Sequence, residues 1–379
     1  MASDVGVEQA LNKLLEENPN LLDQIGPDLK DIPPEQGVVE FVEHKSEEVR
    51  PKTVQEYRNK LAYFTEFCEM REIESLNEIG FRELNQYRHW RREESHDLDD
   101  SLSAKTMRDE MYLLKDFVRF LEKIDALESG LADELNPPSL TGDEGVRDID
   151  IADERVDAVL DYLSSYEYAT AEHVVWLFYA STGRRPGGLH SLDLEDLHID
   201  CEDPYIVLEH RPEETSLKNG EGGEQQVVIK PGVAEVFKDY IEQNRVEVTS
   251  ETGRSPFLTS KMGRLSKSTM RKYIYKWSRP CEIGRDCPHT RNPEACQASQ
   301  NTDQASKCPS SRPPYALRHG YISNQLQEGL RVKTLSERCD VSEEIIEKHY
   351  DERTPEERRE FRRRQLEQLQ NETDQGGFI

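Results

Sequence analysis

The sequence predicts a mainly α-helical protein with a small antiparallel β-sheet, divided into two domains. Apolar residues recur at helical spacing from about residue 37 to 135. A break rich in proline, glycine and acidic residues follows at 136–145. Strand-like runs occur in the second half, at 194–199, 205–208 and 226–229. These observations predict a helical N-terminal domain and a C-terminal domain that combines helices with a sheet.

Residues 1–35 are predicted to form a short surface helix and a linker. The segment from Val7 to Leu15 has apolar residues on one face, and Pro33-Pro34 interrupts the chain before the first domain. No residue type in this segment indicates chemistry.

The first domain is placed at residues 36–136. Thr53 and Glu56 form a capping-box pattern, which predicts that a long helix begins at Thr53. Further helices are predicted at Phe81–Trp90 and Met107–Leu121. The cations of this domain are scattered, as on a solvated face, and comprise Arg50, Lys52, Arg58, Lys60, Arg88, Arg91 and Arg92.

The second domain is placed at residues 146–370. Its predicted strands are joined, between the second and the third, by a polar connection at 209–225 that contains several glycines. Thr354-Pro355 provides an N-cap and a first-turn proline for a last helix that runs to about Leu369. The other predicted helices are 156–163, 174–180, 235–243 and 269–277.

The net charge of −27 constrains the possible partners. A nucleic-acid-binding protein is expected to be basic, so one interpretation is that this chain binds no nucleic acid. The other is a halophilic source, because at molar salt the Debye length is about 3 Å and repulsion from DNA is screened. No apolar run approaches a membrane span and the N-terminus lacks a signal pattern, which predicts a cytoplasmic protein with no membrane partner.

Four of the seven cysteines fall in a proline-containing insert at 280–309. Apolar residues in this stretch show no helical or strand period, so no packed element is predicted there. A Zn²⁺ that cross-links the cysteines would hold such a loop in a folded conformation. The predicted ligands are Cys281, Cys287, Cys296 and Cys308, with His289 left open as a replacement for one of them. Four protein ligands leave no open position, so the predicted zinc is structural.

Arginine, lysine and tyrosine residues in the second domain could together break a phosphodiester without a metal. Arg185 follows the turn Thr182-Gly183, and Arg318 lies in Tyr315-Ala316-Leu317-Arg318. Arginine forks bind phosphate oxygens in pairs, a lysine can protonate a leaving oxygen, and a tyrosine can attack phosphorus. Lys218 and Tyr350 are the candidates for the last two roles, with Lys230 as a weaker rival for the lysine. Each of these residues could instead have a purely structural role: Arg185 as an arginine at a helix end, Lys218 as a solvated turn residue and Tyr350 as an aromatic packing residue.

The order Thr-Gly-x-Arg185, Lys218, Tyr315-x-x-Arg318 and Tyr350 resembles the tyrosine recombinase (phage integrase) family, over roughly residues 35–365. With the acidic charge and the Cys-rich insert, the chain looks like a haloarchaeal-type member. The resemblance implies an N-terminal helical core-binding (SAM-like) domain followed by an α+β catalytic domain. It also implies that Arg185, Tyr315 and Arg318 contact the scissile phosphate, that Lys218 protonates the 5′ oxygen, and that Tyr350 is the nucleophile.

Three positions depart from the family pattern. The acidic residue that usually follows the first arginine by three positions is Gly188, so a support group is either lost or supplied from elsewhere, with Glu195 and Asp196 as the candidates. Tyr315 stands where the family has histidine, and a tyrosine cannot shuttle protons near neutral pH as histidine does. Asp340 falls where a Gly-His or Gly-Trp pair is usual, and an ionised carboxylate cannot donate to phosphate.

The resemblance implies a site-specific recombinase that cuts and rejoins double-stranded DNA through a 3′-phosphotyrosine, as a homotetramer and without a catalytic cofactor. One alternative is a DNA-binding protein of the same fold with weakened catalysis, as the three departures would suggest. The other is a zinc-containing transcription regulator in which residues 332–349 form a helix-turn-helix.

Overall fold

The computed structural model describes residues 29–95, 102–140 and 150–351, together with 353, 354, 356, 359–363 and 367. The helix predicted at Val7–Leu15 lies outside the described residues, as do Pro355 and the end of the helix predicted to reach Leu369. The chain divides into two compact units, Met1–Arg147 and Asp148–Ile379. The second half of the predicted boundary at 136–145 falls on residues that are not described, and the boundary stays a prediction.

The first unit is a bundle of helices. They are α1 (Pro34–Ser46), α2 (Pro51–Met70), α3 (Phe81–Glu93), α4 (Ala104–Lys123) and the short α5 (Leu131–Glu134). Helix α2 begins at Pro51, so the predicted start at Thr53 is wrong. A proline at the first helical position, where the missing N–H costs no hydrogen bond, sets the start in place of the capping box.

Aromatic rings fill the centre of this bundle. Phe41 and Phe64 each meet the ring of Phe117 edge-on, with centroids 5.3 and 5.5 Å apart. Arg91 is buried and donates to both carboxylate oxygens of Glu110 at 2.8 and 3.0 Å. Arg91, one of the cations expected on a solvated face, is therefore a core residue.

The second unit is also largely helical. Its helices are α6 (Asp153–Tyr166), α7 (Ala171–Thr182), α8 (Pro186–Ser191), α9 (Pro231–Gln243), α10 (Lys267–Trp277), α11 (Gln297–Gln300), α12 (Pro314–Gln327), α13 (Val332–Cys339) and α14 (Glu343–His349). Helix α7 is apolar and buried, and it packs against α6, α9, α10 and α12. It is the central helix of this unit.

A three-stranded antiparallel sheet runs β1 (Leu197–His198), β2 (Tyr205–Leu208) and β3 (Gln225–Val228). Ile206 of β2 pairs with Leu197 on one side and Val227 on the other. The strand predicted at 194–199 is wrong in its first half, because 194–196 is a 3₁₀ turn whose Asp193 and Asp196 satisfy each other's backbone N–H groups. A second hairpin, β4 (Thr259–Ser260) and β5 (Gly263–Arg264), was not predicted.

The predicted fold class, mainly α with a small antiparallel sheet, is confirmed. None of the helices in the described part of the chain has the length and apolar character of a membrane span.

Candidate active site

Arg184 and Arg185 lie at a turn that is fixed by a glycine. Helix α7 ends at Gly183, whose φ of +61° favours glycine, and a Cβ there would lie 2.3 Å from a ring carbon of Tyr321. Arg185 then precedes Pro186, the first residue of α8. Burial lowers the pKa of both arginines, that of Arg184 to about 10. The turn thus fixes two adjacent cations at the end of a buried helix.

Arg184 holds the connection between β2 and β3. Its guanidinium donates to Gln225 Oε1 at 2.9 Å and to the carbonyl of Gly223 at 3.4 Å. Arg184 therefore fixes the far end of the segment that carries Lys218.

Arg318, on α12, is buried and ties two turns together. It is 4% exposed, and its Nη1 donates to the carbonyls of Gly183 and Cys339 at 2.9 and 2.6 Å. Its Nη2 lies 3.4 Å from the carbonyl of Asp340. Arg318 thus joins the turn that presents Arg185 to the turn that follows α13.

Tyr350 follows α14 directly and is 3% exposed. Its hydroxyl lies 3.0 Å from the hydroxyl of Tyr315, and its ring stacks on His319 with centroids 4.9 Å apart. His319 Nδ1 lies 2.9 Å from a carboxylate oxygen of Asp150, and its Nε2 lies 3.1 Å from the carbonyl of His349. The imidazole therefore packs on the Tyr350 ring and does not contact its hydroxyl.

Tyr315, at the start of α12, holds the hydroxyl of Tyr350. Burial and this hydrogen bond raise the pKa of Tyr315, while the nearby Arg318 and Arg185 act in the opposite direction. Tyr315 is nonetheless 46% exposed as a residue, so it connects the buried Tyr350 to solvent.

Lys218 is exposed in the connection between β2 and β3, next to Asn219. The rival Lys230 lies at the start of α9 and borders a different groove, between α6, α9 and α12. The structure therefore places Lys218, and not Lys230, beside the arginines.

All five predicted site residues border one cavity of about 830 Å³. The cavity is lined by Arg184, Arg185, Pro186, Lys218, Asn219, Arg271, Tyr275, Pro313, Pro314, Tyr315, Arg318, Val341, Ser342, Ile345 and Tyr350. Its cations and its three tyrosines come from segments that are up to 166 positions apart in the sequence, from Arg184 to Tyr350. Their convergence is a property of the tertiary fold.

Arg271 is a cavity residue that the sequence reasoning did not single out. Its helix neighbours Lys272 and Lys276 are paired with Asp303 and Glu172. Arg271 is exposed and makes no ion pair among the residues described here. In sequence, Arg271, Lys272 and Lys276 are equivalent helix cations. Only the packing of α10 shows that Arg271 borders the cavity while the two lysines form ion pairs.

The residue that supports Arg185 is Asp340, and the expectation of Glu195 or Asp196 is wrong. Asp196 is bound by Arg211 at 2.6 Å, and Glu195 lies 3.9 Å from the same guanidinium. Asp340 Oδ2 instead lies 2.6 Å from Arg185 Nη1, and the Asp340 carbonyl accepts from the same nitrogen.

The Cys-rich insert packs on α10 through its own side chains. Ala298 and Ala305 are buried, and Asp303 is paired with Lys272 of α10. The insert was expected to have no packed element, and these contacts show that the expectation is wrong.

The predicted zinc ligands are not assembled into a metal cage. Burial, with the nearby thiols of Cys308 and Cys287, raises the pKa of Cys281, whereas a hydrogen bond from the Ser299 amide lowers that of Cys296. Across the described ranges, no group of three or more His, Cys, Asp and Glu side chains is arranged to hold a metal ion. Zinc binding stays a prediction.

Comparison with known proteins supports the N-terminal prediction and the fold. Residues 38–124 match the family described as phage integrase, N-terminal SAM-like domain. No curated protein matches the chain.

Three solved structures are similar over most of the chain. A Tn1549 transposon integrase in complex with a circular intermediate DNA is 12% identical with a TM-score of 0.62, covering 89% of this chain and 99% of that one. The same integrase with transposon right end DNA is 13% identical with a TM-score of 0.59, covering 88% and 99%. XerH site-specific recombinase bound to a palindromic difH substrate is 13% identical with a TM-score of 0.53, covering 79% and 77%. The chain therefore has an N-terminal SAM-like domain of the phage integrase type and a fold like that of tyrosine recombinases.

Proposed function

We propose that this protein is a site-specific DNA recombinase of the integrase type, which cuts and rejoins double-stranded DNA through a 3′-phosphotyrosine. The observation that carries the proposal is the cavity that Arg185, Arg318, Lys218 and Tyr350 share. The similar solved structures are integrases and recombinases in complex with DNA, which supports duplex DNA as the partner. A homotetramer on two duplexes and a cytoplasmic location belong to the same proposal.

In the proposed reaction the Tyr350 oxygen attacks the scissile phosphorus. A bond forms between that oxygen and phosphorus as the bond from phosphorus to the 5′ oxygen breaks, and Lys218 gives a proton to the departing oxygen. Arg185 and Arg318 stabilise the added charge on the phosphate, in a site where burial strengthens electrostatic attraction. The covalent link conserves the phosphodiester, so the 5′ hydroxyl of another strand can reverse the step.

The proton of Tyr350 has one hydrogen-bonded exit among the described residues, the hydroxyl of Tyr315 at 3.0 Å. Tyr315 can accept this proton while its own hydroxyl proton passes to water. This relay needs no ionised Tyr315, which matters because burial raises its pKa. Tyr315 therefore serves the nucleophile at the position where the family has histidine.

The test is covalent capture on a nicked duplex that releases the 5′ strand and so traps the adduct. Tyr350→Phe keeps the ring that stacks on His319 but removes the attacking oxygen, so DNA binding and folding persist and the adduct disappears. Tyr315→Phe is the matched variant, because it removes the neighbouring hydroxyl and leaves the nucleophile, and it should form adduct more slowly.

The DNA that flanks the gene supplies candidate sites, and DNA binding is measured first. Equal adduct in wild type and Tyr350→Phe would assign the nucleophile to another residue. No adduct on a duplex that the wild type binds would instead favour a DNA-binding protein that has lost catalysis.

A further inference from the structure

Asp340 makes contacts that the proposed reaction does not use. It caps α13 in the left-handed conformation, with φ 54° and ψ 59°. Residues other than glycine rarely adopt this conformation, and they keep it when the surrounding contacts demand it. Its carbonyl accepts from Arg185 and Arg318, and its carboxylate accepts from Arg185 and Asn219.

The carboxylate of Asp340 bridges the two halves of the site. One oxygen lies 2.6 Å from Arg185 Nη1, and the other lies 2.7 Å from Asn219 Nδ2. Asn219 follows Lys218 directly in the chain. The segment that carries the lysine is thus held at this end by Asp340 and at its far end by Arg184, through Gly223 and Gln225.

The position of the Asp340 carboxylate indicates that it supports Arg185 and does not block the cavity. The Asp340 side chain is 15% exposed, and Asp340 is not among the residues that line the cavity. It engages Nη1 of Arg185, while Nη2 and Nε make no hydrogen bond within the described residues. The carboxylate thus lies behind Arg185 and leaves donors of the guanidinium available to a phosphate.

We infer that Asp340 is a positioning residue, which orients Arg185 and, through Asn219, holds the Lys218 segment beside it. This inference rests on the proposed recombinase function. Gly188 offers no carboxylate, and a Cβ there would face Leu208 and the stem of Arg184 at 3.5 and 3.6 Å. Asp340 supplies the missing anion from another part of the chain and couples two catalytic cations through one side chain.

Asp340→Gly is the informative variant, because glycine adopts the left-handed conformation freely and the backbone can stay as it is. Asp125 also has a positive φ, of 62°, and does not line the cavity, so Asp125→Gly relieves the same backbone conformation without touching a cavity residue. Both variants should fold, and the unfolding temperature of each is measured first.

The first measurement is hydrogen–deuterium exchange of the amides at 218–224, which does not depend on any enzymatic activity. Asp340→Gly and Asn219→Ala should each speed exchange there by about 10-fold or more, the change expected when a hydrogen bond to a charged group is lost. The double variant should exchange no faster than either single one, because both remove the same link. Unchanged exchange in both single variants would overturn the link to Lys218.

The second measurement is the rate of covalent adduct formation at saturating protein. Asp340→Gly should slow it by up to about 100-fold, as for a small misplacement of catalytic groups, with the Kd for DNA unchanged. Asp340→Glu, which keeps the charge, should recover part of the rate, and Asp125→Gly should match the wild type. A faster rate in Asp340→Gly would show that the carboxylate obstructs the site and overturn the inference. If the wild type itself forms no adduct, the recombinase proposal fails, and amide exchange alone decides whether Asp340 positions the Lys218 segment.

Discussion

Arg318 combines a structural role with a proposed catalytic one in one buried side chain. It donates to the carbonyls of Gly183 and Cys339, so it holds the two turns that carry Arg185 and Asp340. A buried carbonyl that loses its donor costs about 1–3 kcal/mol. Substitution of Arg318 should therefore affect the stability of the second unit as well as the reaction.

Arg318→Ala should slow adduct formation by about 100- to 1,000-fold, as for loss of one donor to a developing oxyanion, and should also lower the free energy of unfolding by about 2–5 kcal/mol. Arg318→Lys keeps the charge but not the planar guanidinium with its paired donors. Its adduct rate and its free energy of unfolding should therefore lie between those of Arg318→Ala and the wild type. Trapped-adduct kinetics and urea unfolding measure the two effects.

The matched control for this experiment is Arg279→Ala. Arg279 is equally buried and donates to the carbonyls of Lys276 and Ala298, but it does not border the cavity. It should lose stability while the adduct rate of the folded protein is retained. A folded Arg318→Ala protein that forms adduct at the wild-type rate would remove Arg318 from the reaction.

Lys218→Ala should slow strand cleavage by about 100- to 10,000-fold, the usual contribution of a general acid. A substrate whose 5′ bridging oxygen is replaced by sulfur should restore most of the rate, because a thiolate leaves without protonation at neutral pH. Lys230→Ala is the control, since Lys230 borders a different groove and should leave both rates unchanged. An equal loss on the oxygen and sulfur substrates would show that Lys218 contributes only to binding or structure.

The site residues could be chosen from sequence because their order resembles that of the recombinase family and some of them lie at recognisable turns. Gly183 marks the turn before Arg185, and the β2–β3 connection marks Lys218. The partner of Arg185 carries no such signal, because Asp340 lies 155 positions away and its conformation at the end of α13 brings its carboxylate to the guanidinium. The locations of cations on helices could not be predicted for the same reason. Arg91 and Arg271 look alike in sequence, yet Arg91 lies in the core of the first unit and Arg271 borders the cavity.

Periodic helices such as α4 and the strands β2 and β3 were predicted, whereas α12 and the hairpin of β4 and β5 were not. The apolar face of α4 is continuous over several turns, whereas β4 and β5 have two residues each and no alternation to detect. Element ends depend on single residues, as with Pro51 at the start of α2. The insert was misjudged because its buried side chains are two alanines, Ala298 and Ala305, which show no apolar period.

The Cys-rich insert is predicted to bind a structural Zn²⁺. Protein purified without chelator should contain about one Zn²⁺ per chain, since a structural site uses four protein ligands. Cys287→Ser should lose the metal, and Cys201→Ser, at an exposed cysteine outside the insert, should not. Because no three His, Cys, Asp or Glu side chains of the described residues are arranged to hold a metal ion, metal binding requires a rearrangement of the cysteine side chains.

Comparison of Cys296→Ser with His289→Ala then tests which residue is the fourth ligand. His289 Nε2 lies 2.8 Å from Ser310 Oγ, so it too must exchange a partner to bind metal. A metal-free protein whose stability is unaffected by chelators would refute the site and leave the packing on α10 as the sole support of the insert.

The net charge of −27 is a property of the whole molecule that conflicts with DNA binding at low ionic strength. The cavity collects Arg184, Arg185, Arg318, Lys218 and Arg271, so a local positive site exists within an acidic protein. At about 0.1 M salt the Debye length is about 10 Å, and acidic residues away from the cavity still repel the duplex. At about 1 M it is about 3 Å, and only contacts near the phosphates remain effective.

DNA affinity should therefore fall less steeply with salt than the affinity of a basic protein does. For a basic protein, counterion release lowers log K steeply and linearly with log salt. Here screening of the acidic surface offsets that loss, so affinity should pass through an optimum or fall with a much shallower slope. Fluorescence anisotropy from about 0.1 to 3 M KCl measures the slope, with the unfolding temperature recorded at each salt concentration to separate binding from folding. Tight binding at low salt that collapses steeply, in protein that stays folded throughout, would show that the acidic surface is not an adaptation to high salt.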